Sequence, residues 1–292
     1  SNQTSRMPAP FNALGGAFDA RTPRGRYPTF LVGTSTANNY FRLVNGAPVL
    51  TTVAPTRPAN PEFFLDLNEF GMAQPRANRF NSFISAEFDL TKEITAFADL
   101  SYYKSKSTMV RQPLALNAPT TDQLAVLAIG NPYNPYGSRF YDAAGAPNAD
   151  GTPRLTGAPR TVSLVSLTLQ DLPVEEIKTD ANVVRITAGL KGKIADSWTW
   201  EVAGFYNRAR GDDAANNDVR ESLFQQTLQR TDASAYNPFG YTFRVQGNAV
   251  VADQPYKNPA SVVSAFAKTF ARNAQSYIAS ADARATGRLF TL

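Results

Sequence analysis

The chain has 292 residues without a single cysteine or histidine, and 29 Lys+Arg against 24 Asp+Glu leave a formal net charge of only +5. This composition excludes disulfides, Ser-His-Asp and Cys-His relays, and zinc, copper or haem sites on their usual soft or imidazole ligands. The basic residues are scattered, which argues against a nucleic-acid partner, and apolar runs such as Leu124 to Ile129 are far too short for a transmembrane helix.

Residues 1–77 read as a loop region. Ser1 to Pro10 lack the charged start and apolar core of a signal peptide. Asn45-Gly46 is a hairpin-turn dipeptide between Tyr40–Val44 and Val49–Thr52. Strict alternation begins in residues 78–110. Phe80, Ile84, Ala86, Phe88 and Leu90 share one parity, broken only by Ser82. After Thr91-Lys92-Glu93 the pattern resumes with Ile94, Ala96, Ala98, Leu100 and Tyr102 against Thr95, Phe97, Asp99, Ser101 and Tyr103. A period of two on both sides of a three-residue break is a β-hairpin with two different environments.

Residues 111–179 form a long connection with a short helix expected over Thr121 to Ile129, followed by the turn-rich motif Asn131-Pro132-Tyr133-Asn134-Pro135-Tyr136-Gly137. Residues 180–210 repeat the hairpin. Val184, Ile186, Ala188, Leu190 and Ile194 oppose Val183, Arg185, Thr187, Gly189, Lys191 and Lys193. Past a tight turn at Ala195-Asp196-Ser197, Trp198, Trp200, Val202 and Tyr206 oppose Thr199, Glu201, Ala203, Phe205 and Asn207. A second long connection, 211–273, carries an expected helix over Val219 to Leu228, a small hairpin over Tyr241 to Val251 around Gln246-Gly247-Asn248, and the second turn motif Tyr236-Asn237-Pro238-Phe239-Gly240. Residues 274–292 are a further strand, with Tyr277, Ala279, Ala281, Ala283, Ala285 and Leu289 on one face and Asp282, Arg284, Thr286 and Arg288 on the other.

An alternating strand is more often half of a soluble sandwich than a membrane strand. Three features favour the membrane. Tight turns join the strands on one side and connections of about sixty residues on the other, unusual for a soluble domain and usual for outer-membrane barrels. From Ile94 to Lys104 and from Trp198 to Arg208 the apolar parity stays uncharged for ten residues, the length of a tilted membrane-crossing strand. The other parity carries Glu87, Asp89, Asp99, Arg185, Lys191, Lys193, Glu201, Asp282, Arg284 and Arg288, a charge density that a dry core does not tolerate. The expected fold is therefore all-β, a partial antiparallel transmembrane β-barrel with tight periplasmic turns and long extracellular loops. Ile94, Ala96, Ala98, Leu100, Trp198, Trp200 and Val202 face lipid in this reading. The competing reading is a soluble or surface-anchored β-sheet module that binds glycans.

The hairpin Asp180 to Gly192 with Trp198-Thr199-Trp200-Glu201, the earlier hairpin Arg79 to Tyr103 and the two Asn-Pro-aromatic-Gly motifs together resemble TonB-dependent outer-membrane receptors. The resemblance implies a 22-stranded barrel in the bacterial outer membrane, plugged by an N-terminal domain and energised through a TonB-type inner-membrane complex. It also implies a ligand captured outside the cell, an oligosaccharide, a peptide or an iron chelate. Only five strands are clear here, with neither plug nor energy-coupling box, so the chain reads as an interior piece of a longer barrel. No enzymatic activity, cofactor or metal is expected. Tyr133, Tyr136, Tyr236 and Phe239 are candidates for stacking on ligand, although Asn, Pro and Gly in these motifs are first of all turn chemistry. The run Gly211 to Asp218 is acidic enough for calcium but lacks the spacing of an EF-hand loop. Lys104, Lys106, Arg208 and Arg210 lie where lipid phosphates would meet the outer surface. The adjacent pair Glu175-Glu176 is weak evidence for glycosidase chemistry.

Overall fold

The computed structural model describes residues 21–22, 25–56, 60, 62–72, 74–117, 125–194 and 197–288. Alternating and β-branched segments become strands in chain order: β1 (Thr29–Val32), β2 (Asn39–Val44), β3 (Ala47–Thr51), β4 (Arg76–Asp89), β5 (Ile94–Arg111), β6 (Ala115–Asn117), β7 (Ala125–Leu127), β8 (Tyr141–Asp142), β9 (Leu155–Thr156), β10 (Val162–Thr168), β11 (Glu175–Ile194), β12 (Trp198–Val219), β13 (Tyr241–Gln246), β14 (Ala249–Pro255) and β15 (Ala267–Gly287). The helices are short, α1 (Glu221–Gln229) and α2 (Ala260–Phe266). The fold is all-β and its sheets are antiparallel apart from the two-residue pair β8–β9. None of the described helices is long and apolar enough to cross a membrane.

The chain divides into two compact units. One gathers residues 1–73, 110–176 and 216–269; the other gathers 74–109, 177–215 and 270–292. The first unit is built from the segments that the sequence presents as loops. Its six-stranded sheet has the order β3-β2-β1-β10-β6, with β7 also on β10. Asn45 and Gly46 both take positive φ, 53° and 80°, the geometry that lets a two-residue turn follow the twist of β2 and β3. Phe30, Phe41, Phe239 and Phe266 have no exposed surface. Phe239 meets Phe30, Phe41 and Phe243 edge-to-face at centroid distances of 5.6, 5.7 and 5.2 Å, an arrangement that the ring quadrupole favours. α1 and α2 add Phe224, Leu228, Val262 and Val263 to the same core.

This unit corrects several expectations. Of the helix expected over Thr121 to Ile129, residues 121–124 lie outside those described, and Ala125–Leu127 is strand β7. Val126 there pairs with Ser163, and its backbone N–H and C=O are held by the side chain of Gln225. The edge of β10 offers that apolar segment both hydrogen bonds and burial, and Leu127 becomes fully buried. The connections 111–179 and 211–273 are not free loops, because Val162–Thr168 supplies a central strand. Gly211 to Val219 continues β12, and β15 already starts at Ala267. The helix expected over Val219 to Leu228 forms over Glu221–Gln229, and the small hairpin forms as β13–β14. The turn residues Ala195 and Asp196 and the chain beyond Arg288 lie outside the described residues.

The second unit is a five-stranded sheet in the order β15-β12-β11-β5-β4, made of the five alternating segments read from the sequence. β4 and β5 pair without a break from Arg76↔Thr108 to Asp89↔Thr95. Opposite residues such as Ile84↔Leu100 and Ala86↔Ala98 share parity, so the apolar set occupies one face of both strands. Among the described residues of this unit, Ala203 is the one buried hydrophobic residue.

Candidate functional site

The apolar face of the five-stranded sheet carries the seven residues expected to face lipid, of which Ala98, Leu100 and Val202 are exposed and Ile94, Ala96, Trp198 and Trp200 half-buried. Phe88, Ile84, Val202 and Tyr277 are 70%, 58%, 47% and 72% exposed. At the tight-turn end this face ends in indoles. A Cβ on Gly287 would collide with the ring of Trp198, and one on Gly192 would lie 2.9 Å from Trp200 Nε1, so glycine at these two positions lets the rings lie flat on the neighbouring strands. At the other end stand Phe80, Tyr102, Tyr206 and Tyr277, with Phe80 and Tyr102 in ring contact at 6.2 Å. Two residues beyond these aromatics on their strands come Asn78, Lys104, Arg208 and Gln275. Ten residues from Ile94 to Lys104 rise about 33 Å along the strand, or about 25 Å at a 35–45° tilt, the height of the apolar band of a membrane barrel.

The opposite face is polar and concave. A cavity of about 510 Å³ is lined from four strands and a turn, by Glu93, Thr95, Lys191, Lys193, Thr199, Glu201, Arg284 and Thr286, with Gly192 and Trp200 of the other parity also at its wall. Lys191 pairs with Glu87, and Arg284 Nη2 meets Glu201 Oε2 at 2.6 Å. Thr95 Oγ1 donates to Asp89 at 2.7 Å. Two rings of this face carry cations above them, Phe97 with Lys191 at 5.8 Å and Phe205 with Arg185 at 5.1 Å. These groups stay largely hydrated, so the pairs order the surface more than they stabilise it.

The loop aromatics behave differently from a ligand platform. Tyr133, Tyr236 and Phe239 are 9%, 2% and 0% exposed. Tyr136 is half-buried, stacked on Tyr141 at 6.4 Å with the Arg160 guanidinium 5.4 Å from its ring. Of the four residues expected to stack on ligand, Tyr133, Tyr236 and Phe239 are buried, and Tyr236 and Phe239 pack into the aromatic core of the first unit. Their motifs share one local geometry. The side-chain oxygens of Asn131, Asn134 and Asn237 accept the backbone N–H two residues on, at 2.9, 2.9 and 2.8 Å, a turn that the intervening proline pre-sets. Their amide nitrogens reach carbonyls elsewhere, Asn131 to Leu228 and Asn134 to Arg160. The repeated motifs thus act as buried staples.

Sequence reasoning missed the polar network beside the second motif. Asp171 accepts from the Tyr236 hydroxyl and from Asn258 Nδ2, both at 2.7 Å. Burial, with the Asp171 charge second, raises the Tyr236 hydroxyl well above its ordinary range, and burial also raises Tyr133. A cleft of about 180 Å³ lies over this network, smaller than most ligand sites. Asn258-Pro259, a further Asn-Pro pair, was the signal available for it; nothing marked Asp171.

The acidic run is paired with protein groups. Arg210 and Asn273 reach Asp212, Arg272 forks onto Asp213, and Thr269 donates to Asn216 at 3.0 Å. Among the described residues no group of three or more acidic side chains is arranged to hold a metal. No family model matches the chain, and neither a curated protein nor a solved structure is found similar to it.

Proposed function

We propose that the five-stranded sheet is part of the wall of a bacterial outer-membrane β-barrel, with its apolar face in lipid and its concave charged face toward a hydrated lumen. The observation that carries this reading is the pairing of an uncovered apolar band, about 25 Å tall between aromatic ends, with an opposite face that holds ion pairs around a cavity. β4 and β15 each pair on one side within the sheet. In a bilayer such edges require further strands, so the wall continues beyond these five. The sequence resemblance extends the reading to a TonB-dependent receptor that imports a ligand captured by its extracellular part. The first unit, with its own aromatic core, suits that extracellular part.

The absence of cysteine from these 292 residues makes a direct test available. Single cysteines at Leu100 and Ser101, adjacent residues on opposite faces of β5, are labelled with a fluorophore and the protein is reconstituted in vesicles. A lipid-borne quencher should dim the Leu100 label, and a water-soluble quencher the Ser101 label. Equal response of both labels to the aqueous quencher would overturn the membrane reading in favour of a soluble or surface-anchored glycan-binding sheet.

A further inference from the structure

We propose that the rim of the apolar face, above Tyr102 and Tyr206, is a binding site for the phosphorylated headgroup of a membrane lipid. The proposal rests on the membrane reading of the sheet and names a specific lipid chemistry at one edge of it. On β5 and β12 the residues that follow the aromatic ends at the same parity are Lys104 and Lys106, and Arg208 and Arg210. At about 3.3 Å per residue, these side chains start about 7 and 13 Å along the strands beyond the rings, and interfacial rings sit at the headgroup level.

The cations are only partly compensated. Lys106 Nζ lies 3.4 Å from Asp180 Oδ2, with 63% of the lysine side chain exposed. Arg210 Nε lies 3.0 Å from Asp212 Oδ2, but Asp212 is shared with Asn273 Nδ2 at 2.6 Å. Arg208 donates to a neutral amide, Gln275 Oε1, at 3.3 Å, and Lys104 forms no ion pair with any described residue. Two carboxylates therefore serve four cations. Arg208 retains most of its donor fork for an acceptor, which suits the planar oxygens of a phosphate. The remaining charge sits on the face that carries the apolar band, so the matching anion is one anchored to acyl chains. On the opposite face Lys191 and Arg284 are already paired with Glu87 and Glu201, so their charge is compensated by the protein.

The test is native mass spectrometry of the full chain in detergent micelles, titrated with phosphatidic acid or with phosphatidylcholine. The expected result is preferential retention of phosphatidic acid. Substituting Lys104→Gln, Arg208→Gln and Arg210→Gln together should weaken it roughly fivefold per cation removed. Lys191→Gln with Arg284→Gln, which removes cations from the concave face of the same sheet, should leave the preference in place. Unchanged preference in the rim variant, or displacement of the lipid by inorganic phosphate at matched concentration, would overturn the proposal. Uptake of both lipids without headgroup preference overturns the headgroup site alone, whereas uptake of neither overturns the membrane reading with it.

Discussion

The two units use similar residues to opposite ends. In the first, phenylalanines from β1, β2, β13 and the second turn motif converge until Phe30, Phe41 and Phe239 lose all exposure. In the second, Phe80 and Phe88 lie on the apolar face of the edge strand β4 with 59% and 70% of their surface open. One unit is held together by burial of apolar area within itself. The other is held by its backbone ladder and offers its apolar area outward. The difference shows that hydrophobicity in this chain does not identify the core; the partner of each apolar face does.

Truncation at matched residues breaks or sharpens this contrast most strongly. Phe239→Ala should destabilise the first unit by about 3–5 kcal/mol, because the vacated ring space is walled by other rings that cannot collapse into it. Phe88→Ala should leave that unit unchanged. Denaturant unfolding of the two variants checks the pair, and equal losses would mean that the two sets of rings are not in different environments.

A smaller effect is expected at the buried staples. Asn237→Ala removes an acceptor for the Phe239 N–H and a donor to the Tyr241 carbonyl. Leaving these backbone groups unsatisfied should cost about 1–3 kcal/mol, measured by the same unfolding transition. Asn273→Ala, at an exposed residue of the sheet, should stay within about 0.5 kcal/mol.

The smallest effect is a pH response confined to the first unit. The Thr152 hydroxyl and N–H, with the Arg139 guanidinium, hold the Asp150 carboxyl down to about 2. Because the folded value lies below the ordinary carboxylate value of about 3.9, this stabilisation is present above that pH and is lost as pH falls through about 2. Carboxyl NMR titration should show Asp150 titrating near 2. In Thr152→Val its midpoint should move up.

Much of the second unit was legible because a strand's environment is written in adjacent letters. Ile94 to Tyr102 and Trp198 to Tyr206 alternate over nine residues each, and no tertiary contact is needed to know that such a segment has two unlike faces. Strand ends were less legible. Asp212, Asp213 and Asn216 have the composition of a loop tip, yet they extend β12 because Arg272, Asn273 and Thr269 are available to them across the ladder. Of the polar network of Asp171, Tyr236 and Asn258 only the Asn258-Pro259 pair left a local signal, since Asp171 lies 65 and 87 residues from its two partners.

The sequence by itself determined the turn chemistry of Asn45-Gly46, the parity of each long strand, the charge of the face opposite the apolar one, and the absence of cysteine and histidine chemistry. These are properties of neighbours along the chain. Tertiary structure alone decided that the long connections fold around a shared aromatic core, that Tyr236 and Phe239 are enclosed, and that Val162–Thr168 is a central strand. Burial depends on which distant segments arrive together, and β10 meets β1 across more than a hundred residues with no local pattern to announce it.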